Sequence, residues 1–333
     1  MSGPASEATP SLPTVTVLIC AYTERRWDQL LAAVGSASDQ TRPPTQVVLV
    51  IDHNTKLLER SIAEFDGVDV VANRYESGLS GARNSGVDEA RGDIIAFLDD
   101  DALADRDWLE ALVAPYVEST VVGTGGVARA AWPDARPSWF PSEFEWVVGC
   151  SYRGLPEHES PIRNPIGANM SFRRSAFATA GGFQTDFGRV GTLPLGCEET
   201  EFSIRVRSLD PGARIIHVPG AQVDHFVSAD RVKVGYFLRR CIAEGLSKAA
   251  VTAHVGREQG LASERAYVTK ALPSGFLNGL LPGRTDGAWR PSRSAMIVAG
   301  LAATTLGYVL GRLNLGGVAS RLAAAPKPKK APN

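Results

Sequence analysis

The sequence predicts an α/β protein built on a doubly wound, mostly parallel β-sheet. Its first half alternates short apolar runs of β-prone residues with stretches in which apolar residues recur at helical spacing. The links between them are short, which favours right-handed crossovers on both faces of one sheet. Several runs are apolar at nearly every position, as in parallel strands covered on both faces. The predicted strands of this half are 14–21, 46–52, 68–72, 93–98 and 120–130.

The helices between these strands are predicted from apolar stripes and from residues that interrupt regular structure. Pro43 and Pro44 end the first helix, because proline cannot continue the hydrogen-bonded ladder. Ala82, Gly86 and Ala90 place small residues on one face of the third helix, which implies close packing there. The predicted helices lie within 27–37, 58–65, 77–92 and 109–117.

Three consecutive aspartates, Asp99, Asp100 and Asp101, follow the fourth predicted strand. Open α/β sheets bind ligands beyond the carboxyl ends of such strands. Adjacent carboxylates repel one another unless a cation joins them, and Mg²⁺ and Mn²⁺ prefer oxygen ligands. The triplet therefore predicts a divalent-metal site, although an acidic turn capping a helix at Asp105 or Asp107 gives the same pattern.

Length and composition fit a globular α/β protein. The 333 residues suffice for one large domain with an appendage or for two domains, and 44% apolar with 21% charged residues argues against wholesale disorder. A net charge of -1 predicts no general nucleic-acid role. The four cysteines lack metal-type spacing, so we expect reduced thiols in the cytoplasm. Residues 1–13 lack an apolar core and predict a disordered leader without a secretory signal.

The second half is less regular. Residues 131–164 carry aromatic residues among prolines and charges and predict a long loop. Such a loop either offers stacking platforms to a sugar or lipid acceptor or folds its aromatic side chains inward. Beyond it, the pattern predicts a strand at 166–173, helices at 175–180, 195–207 and 230–252, and a hairpin-like pair of strands at 214–218 and 221–227.

The C-terminal region contains an uncharged stretch of 18 residues, 294–311, which is near the lower limit for spanning a bilayer. Three glycines dilute its hydrophobicity, and basic residues flank both ends. An interfacial or re-entrant helix on anionic lipid fits as well as a span, and a buried helix is the remaining alternative. The basic flanks are Arg284, Arg290, Arg293, Arg312, Arg321, Lys327, Lys329 and Lys330.

Four motifs occur in a specific order: VTVLICAYTE at 15–24, VVLVID at 47–52, SGLSGARNSG…ARGDIIAFLDDD at 77–101 and GANMSFRR…GGF…GCEETEF at 167–202. Each is weak alone. Together they resemble glycosyltransferase family 2, the inverting enzymes with the GT-A nucleotide-sugar fold. The resemblance covers residues 14–252, and the link from ARNSG to LDDD is its most specific part.

The resemblance implies a nucleotide-sugar site at the ends of the first strands. The carboxylate of Asp52 would accept a hydrogen bond from the imide N–H of uracil and so select this base. Glycine in the third motif gives the diphosphate clearance, and arginine offers a fixed, charged donor fork. The implied nucleotide-sugar contacts are Ala21, Tyr22, Glu24, Asp52, Gly78, Arg83, Asp99 and Asp100.

The resemblance also implies that Asp99 and Asp101 bind a metal ion on the diphosphate, with Asp101 the more direct ligand. His225 corresponds to a further ligand in several family members, and an imidazole favours Mn²⁺ over Mg²⁺. The competing interpretation of His225 is a structural histidine. His217 is a weaker candidate ligand.

Catalysis with inversion needs a base that deprotonates the acceptor hydroxyl as it attacks the anomeric carbon. The resemblance implies that Glu199 is this base and that Glu198 helps to fix the site. Glutamate at 199 is one methylene longer than the family's aspartate, which shifts the acceptor or swaps roles within the pair. The sequences CAYT at 20–23 and DHN at 52–54 also depart from the family's usual patterns.

The sequence therefore predicts a metal-dependent enzyme that transfers a sugar from a UDP-linked donor to a glycan or polyprenyl-linked acceptor. We expect it at the cytoplasmic face of the cell membrane, bound peripherally or by its C-terminus. A catalytically inactive sugar-binding or scaffold protein is one alternative. A sugar nucleotidyltransferase is another, but no glycine-rich phosphate loop follows the first strand. A D-x-D phosphatase would carry its aspartates near the first strand.

These patterns also predict how the chain is divided. The predicted units are a leader at 1–13, a catalytic domain at 14–227, a helical extension at 228–283 and a membrane-associating helix with a basic tail at 284–333. Within the catalytic domain, 14–130 is the predicted nucleotide-sugar half and 131–227 the predicted acceptor half.

Overall fold

The structure is a computed structural model that describes residues 13–185, 196–255, 267–281 and 290–313. Residues 1–12 of the predicted leader and the predicted basic tail beyond 313 lie outside the described residues. In the described part of the chain, nine strands form one sheet in the order β3-β2-β1-β4-β8-β6-β9-β5, and β7 pairs with β9. This mixed sheet positions every group discussed below.

The strands are β1 Val15–Ala21, β2 Gln46–Ile51, β3 Asp69–Ala72, β4 Ile94–Asp99, β5 Ala102–Ala104, β6 Val121–Ala131, β7 Ser160–Pro161, β8 Asn169–Arg173 and β9 Arg214–Phe226. The helices are α1 Trp27–Ser38, α2 Thr55–Glu64, α3 Leu79–Glu89, α4 Trp108–Val113, α5 Arg174–Ala180, α6 Glu198–Leu209, α7 Val234–Val255, α8 Leu272–Leu280 and α9 Pro291–Arg312. Short 3₁₀ segments cover Glu24–Arg26, Ala114–Val117 and Ser142–Val148, and a π-helical turn covers Tyr267–Ala271.

The first half of the sheet is parallel, as predicted. β1 pairs with β2 and β4, and β2 pairs with β3, all in parallel register. Both faces of β1, β2 and β4 are covered, because α1, α2 and α4 pack on one side while α3, α5 and α6 pack on the other. The nearly uninterrupted apolar runs of these strands follow from this double burial.

The second half of the sheet is mixed. β8 runs antiparallel between β4 and β6, and β9 runs parallel to β6. The predicted hairpin at 214–227 is wrong, because this segment is the single strand β9. Its pairing with β6 shifts between Gly125 and Val127, opposite Pro219-Gly220. An irregularity in the pairing therefore accommodates the proline and glycine without a chain reversal.

The aromatic segment is partly a core element, so the prediction of a loop over 131–164 is wrong for its centre. Phe140 and Phe144 are fully buried and pack against Phe237 of α7, with ring centroids 5.4 and 5.3 Å apart. Residues of α8 and α9 join this third core, including Leu272 and Ile297. Of the two alternatives for this segment, the one in which its aromatic side chains fold inward is therefore correct for Phe140 and Phe144.

The predicted C-terminal apolar helix is α9, which packs along α7. Gly245 of α7 lies against the backbone of Thr304 and Tyr308, and Gly307 of α9 lies against the backbone of Ile242. α9 is long and apolar enough to cross a bilayer, and 22% of its most apolar 18-residue window is buried. Its outer face exposes Val298, Leu301, Leu306, Val309 and Leu313. The helix is thus buried on one side and apolar on the other.

The close contact of α7 with α9 leads to a stability prediction. In Gly245→Ala the new methyl group would overlap the carbonyl oxygen of Thr304, which cannot move without shifting α9. We expect a loss of about 1–3 kcal/mol in the free energy of unfolding, measured in urea, even after the gain in helix propensity. Gly235→Ala on the same helix is the control, because its methyl group meets only the end of the Arg239 side chain. Equal stability of the two variants would contradict the close packing.

Candidate functional site

The aspartate triplet lies where β4 ends and the chain turns into β5. Asp99 is the last residue of β4 and pairs with Cys20 of β1. β5 then pairs antiparallel with β9, so that Ala102 lies opposite His225. This register brings the imidazole to the triplet from a distance of more than one hundred residues in sequence.

Asp99, Asp101 and His225 form a group that could hold a metal ion. Their ligand atoms lie within 4.8 Å of one another. Nε2 of His225 lies 3.2 Å from Oδ1 of Asp101 and 3.7 Å from Oδ2 of Asp99. Two carboxylate oxygens and one imidazole nitrogen form a donor set that suits Mn²⁺, since one ion at roughly 2.3 Å spans such atoms. The residues present therefore fit a divalent cation.

The orientation of His225 is fixed from its other side. Sγ of Cys150 lies 3.6 Å from Nδ1, so Nε2 is the atom that faces the carboxylates. Gly149 adopts φ +87°, and a Cβ there would lie 3.1 Å from Cε1 of His225. Glycine at 149 thus supplies both the backbone conformation and the room that the ring needs.

Burial and neighbouring charges act on the pKa values of this group. Burial alone would raise the pKa of Asp101, but His225 and Arg26 hold it well below its usual range. Burial and the neighbouring charge of Asp101 raise the pKa of Asp100 to about 7. Burial would lower the pKa of His225, whereas Asp101 and Asp99 raise it well above its usual range. The carboxylates of Asp101 and Asp99 therefore favour the protonated form of His225, and the imidazole has to lose this proton when Nε2 binds a metal ion.

Two arginines that the sequence interpretation missed contact the triplet. Nη1 of Arg26 lies 2.5 Å from Oδ2 of Asp101 and 3.1 Å from Oδ1 of Asp100. Nη2 of Arg231 lies 3.7 Å from Oδ2 of Asp101. Arg26 lies in the segment YTERR, which follows β1 directly. This position near the end of the first strand was the only feature of the sequence that could have indicated its role. No sequence pattern marks Arg231.

Arg83 joins the triplet to the predicted catalytic pair. It is 2% exposed and donates to Oε1 of Glu198 at 2.8 Å and to the carbonyl oxygen of Gly167 at 2.9 Å. Its Nη2 also lies 3.5 Å from Oδ1 of Asp99. A single guanidinium thus links α3, β4 and the start of α6. Its predicted contact with the diphosphate remains a prediction.

Glu198 and Glu199 begin α6, where carboxylates complement the helix dipole. Oε2 of Glu198 is buried and has no hydrogen-bond partner among the residues that the structure describes. Burial, followed by the charge of Glu198, raises the pKa of Glu199 to about 8. A carboxylate with such a pKa is suited to accept a proton near neutral pH.

The predicted nucleotide contacts lie at the other side of the same cavity, with one exception. Asp52 accepts hydrogen bonds from Nδ2 of Asn73 at 2.7 Å, Oγ of Ser77 at 3.2 Å and the backbone N–H of Gly78 at 3.0 Å. Gly78 itself adopts φ +138°. Asp52 therefore orders the loop before α3. The cavity wall includes Ala21, Tyr22, Asp52, Gly78 and Arg83 but not Glu24.

One cavity of about 920 Å³ contains the triplet, Asp52, the glutamate pair and His225. The structure thus brings together nearly all the predicted site residues. His217, the weaker candidate ligand, does not line this cavity. Its imidazole forms hydrogen bonds with the backbones of Gly125 and Pro156 instead. The far wall includes Trp146 and Tyr152 of the aromatic segment, as the stacking-platform alternative predicts. Its other residues had no predicted role: Arg240, Glu244, Lys248, Val268, Leu272, Leu301, Thr305 and Tyr308.

Comparisons with solved structures identify the fold. The mannosyltransferase PcManGT from Pyrobaculum calidifontis, in complex with GDP-Man and Mn²⁺, superposes with a TM-score of 0.54 at 19% identity, covering 94% of this chain and 86% of that one. GalNAc-T7 with UDP, GalNAc and Mn²⁺ superposes with a TM-score of 0.51 at 18% identity, covering 78% of this chain and 55% of that one. These similarities confirm the predicted GT-A fold.

Sequence comparisons identify the family. The family model described as glycosyl transferase family 2 matches residues 16–181. A glucosyl-dolichyl phosphate glucuronosyltransferase of Haloferax volcanii is 34% identical over 238 residues, which cover 70% of this chain and 76% of that protein. Polypeptide N-acetylgalactosaminyltransferase 11 of Xenopus tropicalis is 27% identical over 242 residues, but the chain spans only 38% of its length. The chain therefore belongs to glycosyltransferase family 2 and is a glycosyltransferase with the GT-A fold.

Proposed function

We propose that this enzyme transfers a sugar from a UDP donor to a hydroxyl group of a glycan or lipid-linked acceptor, with inversion and with a divalent metal ion. One observation carries the proposal: a single cavity joins Asp52, the Asp99, Asp101 and His225 group, and Glu199. These are the groups that a base-selective nucleotide site, a metal-bound diphosphate and a general base require.

Asp99, Asp101 and His225 would hold the metal ion. When bound, Mn²⁺ or Mg²⁺ neutralises the charge that develops on the leaving diphosphate. The imidazole among the donors favours Mn²⁺. The two solved structures of similar fold contain Mn²⁺ with UDP or GDP-Man, which supports a divalent metal ion in the proposed reaction.

In the proposed reaction Glu199 takes the proton of the acceptor hydroxyl. The acceptor oxygen then forms a bond to the anomeric carbon while the bond from that carbon to the UDP oxygen breaks, and the electron pair leaves with UDP. Glu198, held by Arg83, positions the start of α6 and offers its unpaired Oε2 to a hydroxyl group of a substrate. Attack from the face opposite UDP inverts the anomeric configuration.

The nucleotide is proposed to lie between Tyr22 and Asp52. Tyr22 is 52% exposed at the cavity mouth and offers a ring face to the base. Three of the roughly four lone-pair sites of Asp52 accept hydrogen bonds, so one on Oδ1 can still accept the imide N–H of uracil. Ala21, Gly78 and Arg83, together with Asp99 and Asp100, face the ribose and diphosphate in this proposal. Glu24 does not line the cavity, so its predicted contact requires the bound nucleotide sugar to extend beyond the cavity wall.

The acceptor is proposed to reach the site from a membrane. The outer face of α9 exposes apolar side chains, and Arg290, Arg293 and Arg312 lie at its two ends. Apolar contact flanked by basic residues is typical of binding to anionic lipid. The similarity to a glucosyl-dolichyl phosphate glucuronosyltransferase supports a lipid-linked acceptor. We accordingly place the enzyme at the cytoplasmic face of the cell membrane.

The same proposal assigns a role to each part of the chain. Residues 14–130 would bind the nucleotide sugar, and 131–227 would receive the acceptor. Residues 228–283 extend the acceptor wall, and 284–333 attach the enzyme to the membrane surface.

Replacement of the proposed base should abolish chemistry without abolishing donor binding. We expect Glu199→Gln to lower kcat for Mn²⁺-dependent UDP release by about 10²–10⁴-fold, because no other carboxylate would take the proton. Stabilisation of the variant by UDP with Mn²⁺ should match that of the wild type in a thermal shift assay. Glu59→Gln, an exposed change on α2, is the control. A large loss of kcat in Glu198→Gln with little loss in Glu199→Gln would reverse the two roles.

The raised pKa of Glu199 predicts the pH dependence of the reaction. Below pH about 8 the carboxyl group is increasingly protonated and cannot accept a proton. We therefore expect kcat/KM to rise about tenfold per pH unit up to that pH and then to level off. A plateau already reached near the ordinary glutamate value of 4.5 would show that burial does not shift this group.

Membrane attachment through α9 can be tested with vesicles that contain roughly 30% anionic lipid. Val298→Asp with Leu306→Asp should reduce cosedimentation at least tenfold, since each apolar side chain contributes about 1.5–3 kcal/mol on burial. Val117→Asp with Leu209→Asp is the matched control, because both residues are exposed apolar side chains on other elements. An equal reduction in both double variants would locate the effect outside α9.

A further inference from the structure

Three side chains on one face of α7 form a charged group, here called the α7 cluster: Arg240, Glu244 and Lys248. Nη1 of Arg240 lies 3.2 Å from Oε2 of Glu244, and Nζ of Lys248 lies 3.2 Å from Oε1 of the same carboxylate. All three line the cavity. The proposed transfer reaction gives none of them a role.

The α7 cluster lies beside the start of α6, where the glutamate pair is held. The backbone N–H of Gly196 donates to Oγ of Ser247 at 3.2 Å, which ties this start to α7. A Cβ on Gly196 would lie 3.3 Å from Nη2 of Arg240. Sγ of Cys197 lies 3.7 Å from Oε1 of Glu244. The two cations are therefore neighbours of the position at which the acceptor hydroxyl would meet Glu199.

Beyond the α7 cluster the cavity wall becomes apolar. Val268, Leu272, Leu301 and Tyr308 line it on this side. Val268 of the π-helical turn and Leu301 of α9 are also exposed, so the apolar wall reaches the outer surface at these two residues. From the glutamate pair outward, the wall thus changes from carboxylates to cations and then to apolar side chains.

We propose that the α7 cluster binds the phosphate group of an acceptor that carries a prenyl chain. This inference rests on the proposed function and names its acceptor. The sugar hydroxyl of the acceptor lies at Glu199, its phosphate lies at Arg240 and Lys248, and its chain follows Leu272 and Leu301 to the apolar face. The guanidinium fork suits phosphate oxygens, and Glu244 holds both cations in place before the acceptor arrives.

The order of these zones favours a sugar linked to a prenyl phosphate over an unglycosylated prenyl phosphate. A phosphate that itself attacked the donor would be ionised near neutral pH and would need no base. A free glycan acceptor would use neither the cations nor the apolar wall.

The test uses the full-length chain with UDP and Mn²⁺ and three probes: farnesyl phosphate, farnesol and inorganic phosphate. We expect farnesyl phosphate to bind at least tenfold more tightly than either other probe, measured by tryptophan fluorescence. Arg240→Gln should lower affinity for farnesyl phosphate about tenfold, or about 1.4 kcal/mol, and leave farnesol unchanged. Arg239→Gln is the matched control, because the neighbouring arginine does not line the cavity.

The other outcomes would overturn the proposal. Equal affinity for farnesol and farnesyl phosphate would show that the cluster does not bind the phosphate group. Inorganic phosphate binding as tightly as farnesyl phosphate would show that the prenyl chain contributes nothing to binding. Equal losses in Arg239→Gln and Arg240→Gln would remove the assignment to the α7 cluster. Should Arg240→Gln not fold, Arg240→Lys, which keeps the charge but not the fork, replaces it with a smaller expected loss. Stabilisation by UDP with Mn²⁺ alone tests the donor site separately.

Discussion

The structure depends on the burial of neighbouring carboxylates at the end of β4. Asp100 and Asp101 are each 5% exposed, and water cannot screen their repulsion there. Compensating charge comes from the segment after β1, from β9 and from the segment after β9, through Arg26, His225 and Arg231. These segments are distant in sequence. The two halves of the sheet must therefore meet at this point if the triplet is to be buried.

Arg83 extends the same constraint to the acceptor side. Because it contacts Asp99, Gly167 and Glu198, one buried cation sets the distance between the candidate metal ligands and the start of α6. Removing Arg83 would leave the buried carboxylate of Glu198 without its ion-pair partner, which costs several kcal/mol. Donor and acceptor groups are thus positioned by the interior of the protein, and the loops around the cavity add to a geometry that is already fixed.

The sequence predicted the parallel half of the sheet because double burial produces long apolar runs. The preceding strand indicated the aspartates, and the order of four motifs indicated the glutamates. His225 lies beyond these motifs and was a candidate only through the family resemblance. It failed at 214–227, because only the distant pairing with β6 decides whether Pro219-Gly220 ends a strand or is accommodated within one. It also missed Arg26, Arg231 and Arg240. An arginine buried against a carboxylate has the same local pattern as one on the surface, and its partner is chosen by the fold.

The proposed acceptor side lies largely outside the residues that the family model matches. That match ends at residue 181, whereas the glutamate pair, His225, the α7 cluster and α9 all follow it. The donor half needs the same nucleotide and metal geometry whatever the acceptor, so its motifs stay recognisable. The far wall, where we propose that the acceptor binds, combines cations with apolar helices packed through Gly245 and Gly307. In the proposed function, acceptor choice therefore resides in the C-terminal helices, which form both the wall of the site and the apolar surface beside it.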